Sequence, residues 1–194
     1  MSDVEQFVFA GERLWLDFVN TEIMVQGRRV DLLPDAGRAM AWLRAVGLGD
    51  VMWPEAEMER LHAFRGTLRD LAGQLACGNP VPAAALEEIN TVLASREGHH
   101  QVVPLGGSYQ EQDCWELRSP LGILAPVAED VARLLCDGDP ALVKKCENPN
   151  CILYFYDTSK NHTRRWHSMA TCGNRSKAAT HYRRTRQKVL LTRK

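Results

Sequence analysis

No apolar run in the chain approaches the roughly 18 residues that a membrane span requires. The opening residues, MSDVEQ, have neither a basic segment nor the apolar stretch of a secretory leader. These absences lead us to expect a soluble, cytoplasmic protein. Its six cysteines are then expected to be reduced, and clustered ones suggest a metal before a disulfide. There is no Gly-rich phosphate loop, no G-x-S-x-G and no H-E-x-x-H, so the familiar signatures of nucleotide, hydrolase and metalloprotease chemistry are missing. Low-complexity blocks, internal repeats and long linkers are missing too.

The scarcest component is acid near the C-terminus. Residues 144–194 hold 13 Lys+Arg but only 2 Asp+Glu. Residues 1–143 reverse this, with 22 acidic and 11 basic side chains. A net charge of zero therefore conceals two oppositely charged halves, and we place a domain boundary between residues 143 and 144. Such sorting suggests a polyanion partner for the basic part. It is equally compatible with a basic end folded back on an acidic domain.

What is present reads as a globular chain, 45% hydrophobic and 25% charged, long enough for one larger and one smaller domain. The fold class expected is mostly α with a small β component. Phe7–Phe9 alternates as a short strand would. Leu14, Trp15, Phe18, Val19 and Ile23 then recur at helical spacing. Helices are expected over 35–46, 54–76 and 82–95. In 54–76, Met58, Leu61, Phe64, Leu68, Leu71 and Leu75 draw one apolar stripe. HHQVVPL and CWELR flank a Gly-Gly-Ser turn and suggest a hairpin. Leu121, Leu124, Ala128, Val131 and Leu135 rebuild a helical stripe. Both stripes are too short for sustained heptads, so we read them as intramolecular core rather than a dimer seam.

The basic part carries the chemistry. Cys146 and Cys151 bracket the turn Asn148-Pro149-Asn150, and His167 and Cys172 form a second pair with the same spacing. Fifteen residues separate the pairs. Two ligand pairs on two turns can assemble a tetrahedral zinc site, and a segment with so few large aliphatics needs such a staple. The connector opens with β-prone aromatics, ILYFY, and turns at Asp157-Thr158-Ser159. Gly173 follows the last ligand, where a missing Cβ permits tight closure. Four protein ligands leave no open metal position, which argues against an enzyme.

Cations surround this site. Arg164, Arg165, Arg175 and Lys177 flank the second pair, and Arg183, Arg184 and Arg186 lie on a helix expected from Ser176 onward. Such a surface suits DNA phosphates, and RNA is not excluded. Elsewhere, Cys77, Cys114 and Cys136 read as small core hydrophobes, and His99-His100 as an exposed turn. His162 and His181 compete with His167 as fourth ligand; the spacing favours His167. Asp17 and Asn20 either line a ligand pocket or are satisfied helix-end polar groups.

At these residues the chain resembles a known family. CENPNC followed by FYDTSKNHTRRWHSMATCGNRSKAATHYR is similar to the CGNR zinc finger, named for the tetrad that stands here as Cys172, Gly173, Asn174 and Arg175. Upstream, GERLWLDFVNT and AMAWLRAVGL resemble the ABATE domain that usually precedes that finger. The resemblance implies a bacterial transcription regulator with a zinc-dependent DNA-binding finger. It departs from the family at His167, where members usually carry cysteine; histidine is also a competent zinc ligand. Three function classes follow. The first is a zinc-dependent DNA-binding regulator whose acidic domain serves as a sensor for a small-molecule effector or as an assembly module, for instance of an oligomer. The second is a zinc-stabilised protein-interaction or RNA-binding module. The third, a zinc enzyme, is disfavoured.

Overall fold

The computed structural model describes residues 6–178. Most of the basic helix expected from Ser176 onward, with Arg183, Arg184 and Arg186, and the competing ligand His181 lie outside the described residues. Among the described residues, five complete helices, the start of a further one at 174–178 and three two-stranded antiparallel sheets give a mixed α+β fold.

The helices are α1 (Leu14–Val19), α2 (Ala36–Ala45), α3 (Met58–Ala76), α4 (Ala83–Leu93) and α5 (Ala125–Asp137). The α3 and α5 stripes both face one core, with Phe64, Leu68, Leu71, Val131 and Leu134 fully buried. Trp15, Phe18 and Trp42 fill its centre, and the Phe18 and Trp42 rings lie 5.2 Å apart. The start of α2 is fixed by chemistry visible in the sequence. Asp35 accepts from the Arg38 N–H at 2.8 Å, an N-cap that satisfies one of the helix's orphan donors.

Helix α1 is shorter than its apolar spacing implies. It stops at Asn20, and Ile23 falls on β1 (Glu22–Val25), which pairs with β2 (Arg28–Asp31). Gln26 and Gly27 between them both have positive φ, the conformation of a tight hairpin turn. Phe7–Phe9 forms no strand. The expected second hairpin is present and longer than its apolar runs, β3 (Arg96–Leu105) against β4 (Ser108–Leu117). His99 and His100 lie on β3 rather than in a turn, and His100 Nδ1 meets Asp113 at 2.6 Å. The three scattered cysteines are not core: Cys77 and Cys136 are exposed and Cys114 half-buried. The first two lie at or near helix ends, where the apolar stripe has already turned away.

The third sheet carries the site. Strand β5 (Val143–Lys145) pairs with β6 (Tyr154–Tyr156), whose aromatics the sequence marks as β-prone. Val143 and Tyr154 join the same core as α1 and α3. Two buried polar groups fasten the hairpin there. Asn20 donates to Tyr154 O at 2.8 Å and accepts from Tyr154 N at 3.0 Å, as a strand neighbour would. Arg69 of α3 donates to Val19 O and to Ile152 O and pairs with Glu22 at 2.6 Å. One turn earlier, Arg65 makes a two-pronged pair with Asp31, which holds that carboxyl below its usual range despite burial.

Candidate metal centre

The first knuckle is built by its own turn residues. Asn148 O accepts from the Cys151 N–H at 2.9 Å, and Asn148 Oδ1 accepts from Asn150 N at 3.0 Å. Cys146 N donates to Leu153 O at 2.9 Å, which anchors the knuckle to the end of the β5–β6 hairpin. The second knuckle follows an extended Ser168, whose hydroxyl accepts from Thr171 N. Its five residues, Met169–Gly173, form one wide turn closed by Gly173 N donating to Ser168 O at 3.0 Å. A Cβ on Gly173 would meet Met169 Sδ, so the exposed Met169 side chain would have to swing aside to admit one. Glu147 N donates to Arg165 O at 2.9 Å and ties the knuckles together.

These turns bring Cys146, Cys151, His167 and Cys172 together, with their ligand atoms all within 4.8 Å of one another. A tetrahedron with Zn–S bonds of about 2.3 Å has edges of about 3.8 Å, so the set matches zinc in donor chemistry and in span. His167 Nδ1 lies 3.5 Å from Cys151 Sγ, and its Nε2 faces Thr171 Oγ1 at 3.5 Å. Nδ1 thus faces the cysteines, and Nε2 faces away toward Thr171, which is placed to orient the ring from behind. The four residues are positioned to bind a metal ion, consistent with zinc.

Without an ion the three thiols share protons unequally. Hydrogen bonding from Cys151 draws the Cys146 thiol down to about 3. That same bond, with burial, pushes Cys151 up, and burial with the Cys146 charge raises Cys172. A divalent cation would stabilise the additional thiolates that the protein alone leaves protonated. Asn148, read from sequence only as a turn residue, also points polar groups at Cys146 and Cys172.

His162 is not a competitor. It sits at positive φ with Nδ1 on Asp157 O at 3.0 Å. Asp157, too, was legible in the sequence only as a turn residue. It has no exposed surface and accepts from Lys144 Nζ at 2.6 Å, from the Ser159 backbone and hydroxyl, and from Arg164 N. Burial opposes its ionisation, but these donors hold it well below the carboxylate range.

The cations divide. Arg164, expected on a nucleic-acid surface, is turned inward. Its guanidinium donates to the Trp166 and His167 carbonyls and to Glu12 Oε1, and lies 4.7 Å over the Phe155 ring. It braces the third ligand instead of facing solvent. Arg165 is more exposed but pairs with Glu147 and stacks on Trp166. Arg175 and Lys177 are exposed on the helical turn over residues 174–178. Asp17 and Asn20 are both engaged by backbone groups. Asn20 is fully buried against Tyr154, and Asp17 accepts from Gly11 N at 2.7 Å, with burial pushing its carboxyl up to about 6.

Three cysteines and one histidine on two knuckles, hung from a mixed α+β core, define a zinc-finger-like protein. The family itself is given by the comparison with known families. Residues 12–138 match the family model ABATE, described as "Putative stress-induced transcription regulator", and residues 143–185 match the CGNR zinc finger. The chain belongs to the ABATE family and carries its finger in the same order. No curated protein matches the chain. Both families are of regulator and zinc-finger type, and no helix among the described residues is long and apolar enough to cross a membrane.

The ligand set makes one direct prediction. His167→Cys should retain zinc, since a thiolate replaces an imidazole within the same knuckle. His167→Ala should weaken zinc by more than the 10–100-fold typical of losing an outer-shell partner. Competition against a chromophoric chelator reads both. Equal affinity in parent and His167→Ala would place the fourth ligand elsewhere.

Proposed function

We propose that the protein is a zinc-dependent DNA-binding regulator, with residues 144–194 as the reading unit and residues 1–143 as sensor or assembly module. The observation that carries this is the finger's cation supply. Its knuckles are closed by a metal-ligand set, and Arg175 and Lys177 emerge exposed directly after the last ligand. The sequence continues that charge through Arg183, Arg184 and Arg186. Phosphate contacts of this kind supply affinity; an arginine on a rigid knuckle can also meet a guanine edge.

Binding to duplex DNA should therefore weaken steeply with salt, because each neutralised phosphate releases a counterion. Lys177→Ala should weaken all sequences alike and flatten the log–log salt slope by about one unit. Arg175→Ala should also cost discrimination between matched and mismatched duplexes, about 1–3 kcal/mol. Fluorescence anisotropy across a salt series, with zinc content measured in parallel, checks both. Unchanged specificity in a fully metallated Arg175→Ala protein removes base reading.

One observation favours a second reading, a zinc-stabilised protein-interaction module. Arg164 reaches across to Glu12 of the acidic unit at 2.9 Å, so part of the finger's charge already meets protein. Salt-insensitive or absent duplex binding would favour that reading.

A further inference from the structure

A half-open cleft of about 620 Å³ lies between α3 and α4 on one side and the β5–β6 hairpin on the other. Small-molecule sites span about 300–1,000 Å³, so the volume suits a compact ligand. Its cations are Arg29, Arg69 and Lys145, against one acid, Asp70. Arg69 is occupied by the carbonyls and carboxylate described above. Arg29 is mostly exposed and approaches Glu22 only to 3.8 Å. Lys145 is exposed at the end of β5. The remaining wall is mixed: Thr67 and Gln74 add polar groups, while Pro82, Ile152 and the Tyr154 ring supply apolar surface. The Tyr154 hydroxyl would lie 3.4 Å from a Cβ on Gly73, and burial raises its pKa, so it remains a donor. Cations, a phenolic donor, two further polar side chains and apolar patches together form a lining that suits an anion with an apolar body.

The position of this cleft matters as much as its chemistry. Lys145 directly precedes the ligand Cys146, and Ile152 directly follows the ligand Cys151. The Ile152 carbonyl is held by Arg69 at 3.1 Å. The floor of the cleft is therefore the same backbone that carries the first two metal ligands.

We propose that this cleft binds a small organic anion, a carboxylate or phosphate monoester on an apolar body, and that its occupancy is coupled to metal retention by the finger. The proposal rests on the reading of the N-terminal part as a sensor and locates the site through which it would act. Coupling is reciprocal: the factor by which the anion changes zinc affinity is the factor by which zinc changes anion affinity.

The test uses the zinc-loaded full chain without DNA, with benzoate and phenyl phosphate as probes and benzyl alcohol and inorganic phosphate as controls. Calorimetric titration should show saturable binding of at least one probe, with a Kd of about 1 mM as befits so small a ligand. Both controls should bind at least about tenfold more weakly, since each lacks half of the recognised chemistry. The double variant Arg29→Met/Lys145→Met should lose about the same factor while keeping parental zinc content and Tm. Tyr154→Phe, which preserves the ring, should weaken the probe without altering the fold. The bound probe should also shift zinc affinity, read by chelator competition, and do so less in the double variant. Absence of saturable binding by either probe, or binding indifferent to Arg29 and Lys145, overturns the site. Probe binding with unchanged zinc affinity overturns the coupling. A separate anisotropy titration with duplex DNA, with and without the probe, tests the sensor reading: if the probe binds and shifts zinc affinity but DNA affinity does not respond, the site stands and the sensor reading fails.

Discussion

Replacing Cys172 with serine should strip the metal and undo both knuckles while leaving the helical core folded. The argument turns on what each part of the finger leans on. Residues 146–151 and 165–173 are held by local turns, two cross-links and the four ligands. They have almost no apolar interior; the metal, with an apparent binding free energy of about 10–16 kcal/mol in small zinc modules, is their core. The β5–β6 hairpin has other support, since Val143 and Phe155 are fully buried and Tyr154 is clamped by Asn20. Loss of zinc should therefore raise amide exchange at Glu147, Cys151 and Gly173, whose N–H groups close the knuckles, and spare α3. Metal analysis and hydrogen exchange on the same sample decide it. A parent protein that carries no zinc when purified without chelators would end the claim. Simultaneous loss of protection in α3 would show that the metal supports the whole chain.

A comparably large effect is expected at Asp157. Its carboxylate gathers four donors in a place without solvent, and one of them, Lys144, is a cation. Removing one partner of a buried pair leaves the other uncompensated, at a cost of about 3–5 kcal/mol. Lys144 is partly exposed, so Asp157→Ala should fall near the lower end, about 3 kcal/mol in urea unfolding. The sign of the pH dependence is fixed by the depressed folded-state pKa. This contribution is fully present above the unfolded carboxylate value, about 3.9, and is lost as pH falls through the folded one. The stability difference between parent and Asp157→Asn should shrink below about pH 4. Taking the difference at each pH cancels acid loss of zinc, which both proteins share. A cost under about 1 kcal/mol, within reach of an exposed pair, would contradict the geometry.

The metal set was legible because spaced cysteine and histidine pairs have few other uses, and the turn chemistry of Asn148-Pro149-Asn150 makes sense only with Cys146 and Cys151 facing inward. The long α3 and α5 stripes were legible for the same reason: burial on one face leaves a period. The braces were not. Arg164 reads as a surface cation in a basic run, and nothing local shows that the Trp166 and His167 carbonyls need a donor. Arg65 and Arg69 sit inside an apolar helix, where their partners, Asp31, Glu22 and Ile152, are distant in sequence. Strand β5 is three residues long and has no pattern of its own; β6 defines it. The shortened α1 was misread because Ile23 continues a helical spacing across Asn20, whose side chain is engaged by Tyr154 over a separation of 134 residues.

Asn20 has one more implication. Its amide matches the backbone of Tyr154 donor for acceptor, and Arg69 fastens the residue two places earlier. The acidic and basic halves of the chain are thus keyed to each other by side chains that belong to the first and backbone that belongs to the second. A finger transplanted onto another core should therefore keep its heading only if that core offers an amide and a guanidinium at the places of Asn20 and Arg69.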